Sequence, residues 1–383
     1  MEKIKIILPK NFKHIVEIMV EGADKPTVPE LPPVVVDPGV EEPSVEPPFP
    51  QLQNIKLLKN AESINRNTLI PFTWNGVMYL VCHNADEGKD ELYNFSAGFK
   101  YLLNLDIIHE GREVRGMVQS IVNYGDELYG LFSIEKDVFL MKYRENSNLK
   151  SWDVLGEVPI PGAKDTHHYL FINADGVFEI QGRVRGAQDW PEKDPILTDR
   201  RGGKIKRYGK TPLSVLEPPT ETLIMDPVDY AENDYLTDII RKGIYGLKSI
   251  VINGKTYSFL NIFWQNSKRK TGDRTDRMNV GTGDIYPCVV RDYAEVTAWD
   301  KHVIDQTPFL HDWPHEDALD WNPQVGQLHM GKPMDMGDYL QMFLVWRRDP
   351  HYLEQDGQPP TKLYSATLDK QALIKWFDWK ALQ

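Results

Sequence analysis

Sulfur chemistry is almost absent from this chain. Only two cysteines, Cys82 and Cys288, occur in 383 residues, too few for a disulfide framework and without the spacing of a zinc site. A single Cys82–Cys288 bridge is the one alternative left. Both sit in apolar, strand-like runs, YLVCH and YPCVV, and are expected as small buried hydrophobes in a chain made in a reducing compartment. No run of about 18 apolar residues occurs, so no transmembrane helix is expected. The first 20 residues interleave Lys and Glu with apolar residues, without the unbroken apolar stretch and small-residue cleavage site of a secretory signal. Positive charge is also in deficit: 44 Lys and Arg stand against 56 Asp and Glu, a net charge of −12. That balance argues against a nucleic-acid or anionic-membrane partner, because phosphate surfaces need clustered cations. The one basic stretch, Lys268 to Arg277, reads as a solvated loop. No segment sustains the period of a long helix.

Aromatic residues are plentiful, with ten Trp and seventeen Tyr, enough for a large core and many cross-strand contacts. Residues 3–8 (KIKIIL) and 14–20 (HIVEIMV) read as two pairing strands around a turn-like PKNFK. A lone two-stranded hairpin is marginal in water, so residues 1–25 are expected to dock, either on a partner protein or as an extra strand on the main body. Residues 26–50 hold nine prolines and five acidic residues with no basic one. Fixed φ and like-charge repulsion make this an extended spacer.

From residue 51 to 383 the character changes. Five segments each carry an apolar run, a turn with Asn, Asp or Gly, and a second aromatic-rich run: 70–83, 117–133, 168–184, 249–264 and 336–348. That is a hairpin signature repeated five times. Each unit is followed by further strand-like residues, such as VFLMKYR and KLYSATL. Radial repetition of such units leaves only short, protected edges. The reading is an all-β chain whose residues 51–383 form a five-bladed β-propeller.

The order of parts resembles the five-bladed propellers related to invertases, arabinanases and β-xylosidases. The resemblance is carried by Asp165 through Arg183 and Arg185, by DRRGGKI at 199–205, by Tyr245 to Trp264, by GDIYPCVVRDYAEVTAW at 283–299, and by MGKPMDMGDYLQMFLVWRR followed by KLYSATL. Catalytic members of that group cleave glycosidic bonds with paired carboxylates around a central funnel. The resemblance implies Asp165, just before the third hairpin, as one carboxylate and Asp238 as a substitute for another. Two positions depart from the pattern. Asn67 stands where an Asp is expected before the first hairpin, and no Glu occurs near Tyr245 to Ser249, where the resemblance implies the acid of the fourth blade. Asn67 cannot serve as a base or nucleophile.

Sugar binding needs no such pair, only aromatic faces and a few oriented polar groups. Arg183, Arg185, His167, Trp264 and Arg291 are the candidate substrate-binding residues, and Trp74, Trp190, Trp313, Trp321 and Trp346 add aromatic surface. His167 and His168 are adjacent, so strand alternation sends them to opposite faces. The segment HDWPHEDALDW at 311–321 is rich in His and acid, yet its spacing matches no metal motif; no metal and no cofactor is expected.

Three functions follow as expectations. The first is a structural or receptor-binding component of a larger particle, such as a bacteriophage tail or head appendage, presenting a glycan-binding propeller. Residues 1–25 would then meet other virion or assembly proteins, with the chain made in the host cytoplasm and resident in the virion. The second is a glycoside hydrolase acting on a polysaccharide, in a bacterial cytoplasmic or non-classically exported protein. The third is a purely structural decoration module. Weak glycan contacts gain from avidity, so a homo-oligomer is an expectation of the first design.

Overall fold

The computed structural model describes residues 3–5, 17–19, 47–60, 64–84, 86–134, 137–160, 168–183, 203–225, 239–266, 284–293, 326–348 and 361–382. The chain divides into two units, 1–45 and 46–383. In the first, β1 (Lys3–Lys5) and β2 (Glu17–Met19) pair antiparallel, Lys3 opposite Met19.

The second unit is a five-bladed β-propeller. Blade one is β4 (Ile64–Trp74), β5 (Val77–Asn84), β6 (Lys89–Asn94) and β7 (Lys100–Asn104), from axis to rim. Blade two is β10 (Met117–Tyr124), β11 (Glu127–Ile134), β12 (Asp137–Tyr143) and β13 (Ser151–Val158), widened by β8 (Asp106–His109), parallel to β13, and β9 (Arg112–Val114). Blade three is β14 (Tyr169–Ile172), β15 (Phe178–Arg183), β16 (Gly203–Arg207) and β17 (Glu221–Met225). Blade four is β18 (Ile239–Ile252), β19 (Lys255–Asn266) and β20 (Asp284–Arg291). Blade five joins β21 (Gly326–Met330) and β22 (Met334–Asp335) to β23 (Tyr339–Arg348), β24 (Thr361–Asp369) and β3 (Leu52–Asn60). The ring closes because β4 meets β10, β10 meets β14, β14 meets β18, β19 and β20 meet β21, and β21 and β23 return to β4.

Local turn chemistry sets the five hairpins. Asn75-Gly76 and Asn253-Gly254 both have positive φ at each residue, the arrangement whose twist matches flanking strands. In blade three the Asn173 Oδ1 accepts from the Asp175 and Val177 amides, at 3.0 Å each. Alternation then sends one face of each strand into an inter-blade core. Phe72, Leu92, Ile121, Phe132 and Trp152 pack between blades one and two; Leu131, Leu140, Phe178 and Ile180 between two and three; Leu69, Leu80, Cys82, Phe343 and Leu363 between five and one. Cys82 is buried there as a small hydrophobe, as its sequence context predicts.

A helix absent from the sequence reading follows the last strand. Helix α1 (Lys370–Ala381) starts on Asp369, whose Oδ1 accepts the Ala372 amide at 2.9 Å, a side-chain N-cap. Leu373, Trp376 and Phe377 form its buried stripe, at the i, i+3, i+4 spacing of an amphipathic helix. That stripe packs on Tyr257 of blade four and Phe49 ahead of β3.

The outermost strand of blade five comes from the opposite end of the propeller. β3 pairs antiparallel with β24, from Leu52 opposite Leu368 to Asn60 opposite Lys362, and buries Leu52 in the core shared with α1. A protein lacking residues 1–45 is therefore expected to melt within about 3 °C of the full chain. One lacking 1–60 exposes the β24 edge, which invites edge-to-edge association, and is expected to aggregate or lose its cooperative transition. Scanning calorimetry of the two truncations reads the difference, and equal melting of both would remove β3 from any role in closure.

Candidate functional site

The inner strands of blades one to four and residues 331–333 of blade five converge on the axis. The cavity they leave is about 10 Å³, room for about one water molecule. At this depth the axis is a packed core. Gly331 allows the close approach of blades five and one, since a Cβ there would lie 3.0 Å from the Leu69 Cβ and 3.3 Å from the Phe343 carbonyl oxygen.

Two amines line this cavity, Lys248 and Lys332. A register shift in β18 between Tyr245 and Lys248 re-aims the side chains that follow, as bulges do. Lys248 is 3% exposed; its Nζ donates to the Met330 carbonyl at 2.7 Å and lies 4.8 Å from the centre of the Tyr169 ring. One ammonium thus ties blade four to the inner strands of blades three and five. Burial pulls its pKa down to about 7, and burial likewise pulls Lys332 down to about 8.

Beside the cavity, between blades three and four, lies a polar network. Strand alternation puts Glu179 and Gln181 on one face of β15, and Glu179 is fully buried. Its Oε1 accepts from Arg207 Nε and Asn173 Nδ2, both at 3.0 Å. Its Oε2 accepts from the Tyr293 hydroxyl at 2.6 Å and from Gln181 Nε2 at 3.3 Å. Burial and the neighbouring Glu179 charge push the Tyr293 pKa up. Gln181 Oε1, lining the cavity, is buried with no hydrogen-bond partner among the described residues, which fits a single water there. The other buried carboxylate among the described residues, Asp90, accepts from His83 Nδ1 at 2.8 Å and from the Val118 amide at 2.9 Å, joining blades one and two. Burial raises the Asp90 pKa, opposed by those two bonds.

A wider groove of about 580 Å³ lies at the C-terminal ends of β4 and β10, with Trp74 and Tyr79 in its wall.

The sequence-derived candidates are distributed unevenly over these features. Asp165, Asp238, His167 and Arg185 lie outside the described residues. Arg183 is on β15 opposite Gly203, and Trp264 on β19 opposite Lys242 and Asp284. Arg291 is not at the axial cavity. It is 3% exposed, pairs through Nη1 with Asp378, and donates from Nη2 to the Phe377 carbonyl at 2.8 Å, so its guanidinium is committed to helix α1. Lys248, which enters the sequence reading only as a missing Glu, is central to the axis. Glu179, Gln181 and Lys332 escape that reading altogether. A signal for the first two was present, since a Glu and a Gln two apart in the apolar run VFEIQG must share one face of a strand.

The sequence matches no protein-family profile and no curated protein. Solved structures with a similar backbone course include a thermostable family-43 glycoside hydrolase, at 10% identity and TM-score 0.45 over 80% of this chain and 89% of that one. Others are an endo-arabinase from Bacteroides thetaiotaomicron, at 12% and 0.39 over 84% and 94%, and an α-L-arabinofuranosidase from Fusarium graminearum, at 8% and 0.40 over 86% and 100%. The blade count and strand order rest on the pairings described above.

An unfolded lysine titrates near 10.4. Lys248, at about 7 when folded, therefore binds fewer protons in the native state between about pH 7 and pH 10.4, so its contribution to stability rises with pH across that window by about 1.4 kcal/mol per unit. Below about pH 7 the burial penalty is full and constant. Urea denaturation of the wild type and Lys248→Met at pH 6.5, 7.5 and 8.5 is expected to show the wild type gaining on the variant as pH rises. Parallel curves would mean that the amine stays charged throughout. Arg291→Ala is expected to lower unfolding stability by about 2 kcal/mol through loss of charged hydrogen bonds while leaving any saccharide binding intact. Lost binding at unchanged stability would return Arg291 to the ligand site.

Proposed function

We propose that the chain is a saccharide-binding propeller that does not hydrolyse its ligand. One observation carries the second half of this reading. The two buried carboxylates among the described residues, Asp90 and Glu179, are already engaged by cross-strand and inter-blade donors, while blades four and five give the axial cavity two amines and a hydroxyl, Lys248, Lys332 and Ser249, and no carboxylate. Glycoside hydrolysis needs one carboxylic acid beside the leaving oxygen and a second carboxylate on the other side of the bond, about 5–10 Å away. An amine held on a backbone carbonyl supplies neither.

The organisation of the chain supports presentation on a larger particle. Paired strands in residues 1–25 and an extended acidic spacer over 26–50 would hold the propeller away from its anchor. The finer assignment, a bacteriophage tail or head appendage made in the host cytoplasm, rests on that organisation alone. A panel of aryl glycosides and polysaccharides is expected to give no turnover while glycan-array binding is positive. Turnover abolished by Asp165→Asn would overturn the non-hydrolytic reading in favour of a glycoside hydrolase. An array with no binding at all would leave only the decoration module.

A further inference from the structure

The geometry points to the groove at the C-terminal ends of β4 and β10 as a binding subsite for neutral saccharides, distinct from the axial cavity. This deepens the saccharide-binding reading and rests on it. Size decides first: the axial cavity accepts about one water, whereas the groove, at about 580 Å³, falls within the range of small-ligand sites. Its wall combines the half-buried aromatic residues Trp74 and Tyr79 with the carboxylates of Asp126 and Glu145 and the amides of Asn146 and Asn148. Aromatic faces take the C–H surface of a pyranose, and carboxylates and amides accept from and donate to its hydroxyl groups.

The groove is also preorganised. Asn146, Asn148 and Leu149 all have left-handed backbone, at φ of 60°, 52° and 66°, and a bulky residue there is strained by about 1–2 kcal/mol. The strain is held in place from below. The Tyr143 hydroxyl accepts the Leu149 amide at 3.3 Å, and Trp152 Nε1 donates to the Leu149 carbonyl at 3.0 Å. The Trp74 ring in turn rests edge-on against Tyr143, with centroids 5.7 Å apart.

Charge selects the ligand class. The cation in the wall, Lys142, is already paired with Glu127, which leaves Asp126 and Glu145 to give the groove a negative potential. Uronates, sialates and phosphorylated sugars would meet like charge, whereas neutral sugars would not. Trp74 was legible in the sequence as a sugar-stacking candidate; the structure seats it at the far end of β4 from the residues that precede the inner strands.

Saturation-transfer NMR and calorimetry would use the full chain against neutral tetrasaccharides of glucose, xylose, galactose and N-acetylglucosamine, with tetragalacturonate as the acidic comparison. At least one neutral tetrasaccharide is expected to bind, and tetragalacturonate to bind more weakly than it does. Trp74→Ala is expected to weaken binding by about tenfold or more. Because that variant also loses its contact with Tyr143, the pair Asp126→Asn and Glu145→Gln, both exposed, provides a second test. Together they should weaken neutral binding several-fold with unchanged melting and narrow the gap to tetragalacturonate. Binding by the wild type that neither variant changes would remove the groove while leaving a saccharide-binding propeller. Tighter binding of tetragalacturonate than of every neutral sugar would overturn the neutral-ligand assignment. No binding of any probe by the wild type would overturn both.

Discussion

The ring holds together because a strand from its beginning completes the blade at its end. β3 and β24 lie about 300 residues apart in sequence along most of their shared register, and closing so long a loop costs entropy before any contact offsets it. What offsets it is collective. Leu52 of β3, Leu368 of β24 and the Trp376 and Phe377 stripe of α1 share one apolar core with Tyr257 and Phe259 of blade four. The seam links the two ends of the ring, since β21 and β23 of the same blade also meet β4 of blade one.

Inside the ring, apolar clusters join blades one and two, two and three, four and five, and five and one, with the Asp90–Val118 hydrogen bond added between one and two. The described joint of blades three and four instead includes Glu179, Arg207, Gln181 and Tyr293, with Lys248 leaning across toward Tyr169. Hydrogen bonds and buried charge are directional where hydrophobic packing is not, so this joint fixes the angle between its blades more narrowly. Both buried carboxylates among the described residues, Glu179 here and Asp90 between blades one and two, are thereby committed to architecture.

How much of this was legible depended on the range of the interaction. The hairpins at 70–83, 117–133, 168–184 and 249–264 were readable because Asn-Gly, Asp-Gly and Gly-Asp turns are local and their backbone demands appear in adjacent residues. Helix α1 was missed because its apolar stripe is short, with Lys375 and Asp378 between Leu373 and Trp379, and because most of its stability comes from packing on blades four and five. The closure strand was invisible for the opposite reason, since nothing within 52–60 names a partner near 365. The axial amine was half legible: the absence of a Glu near Lys248 was read, but its direction depends on a register shift that the sequence does not mark. Arg291 is a ligand candidate from its Arg-Asp context, while its described partners, Asp378 and the Phe377 carbonyl, lie on a helix that the local sequence does not announce.

The seam of blade five also determines how the molecule meets mechanical load. Tension applied through the residues ahead of β3 would load the Phe49–Trp376 contact and then the β3–β24 ladder. Blade five would in that case act as the fuse of the ring. A pull strong enough to part that ladder uncovers the β24 edge and the flank of α1 while the other four blades still stand.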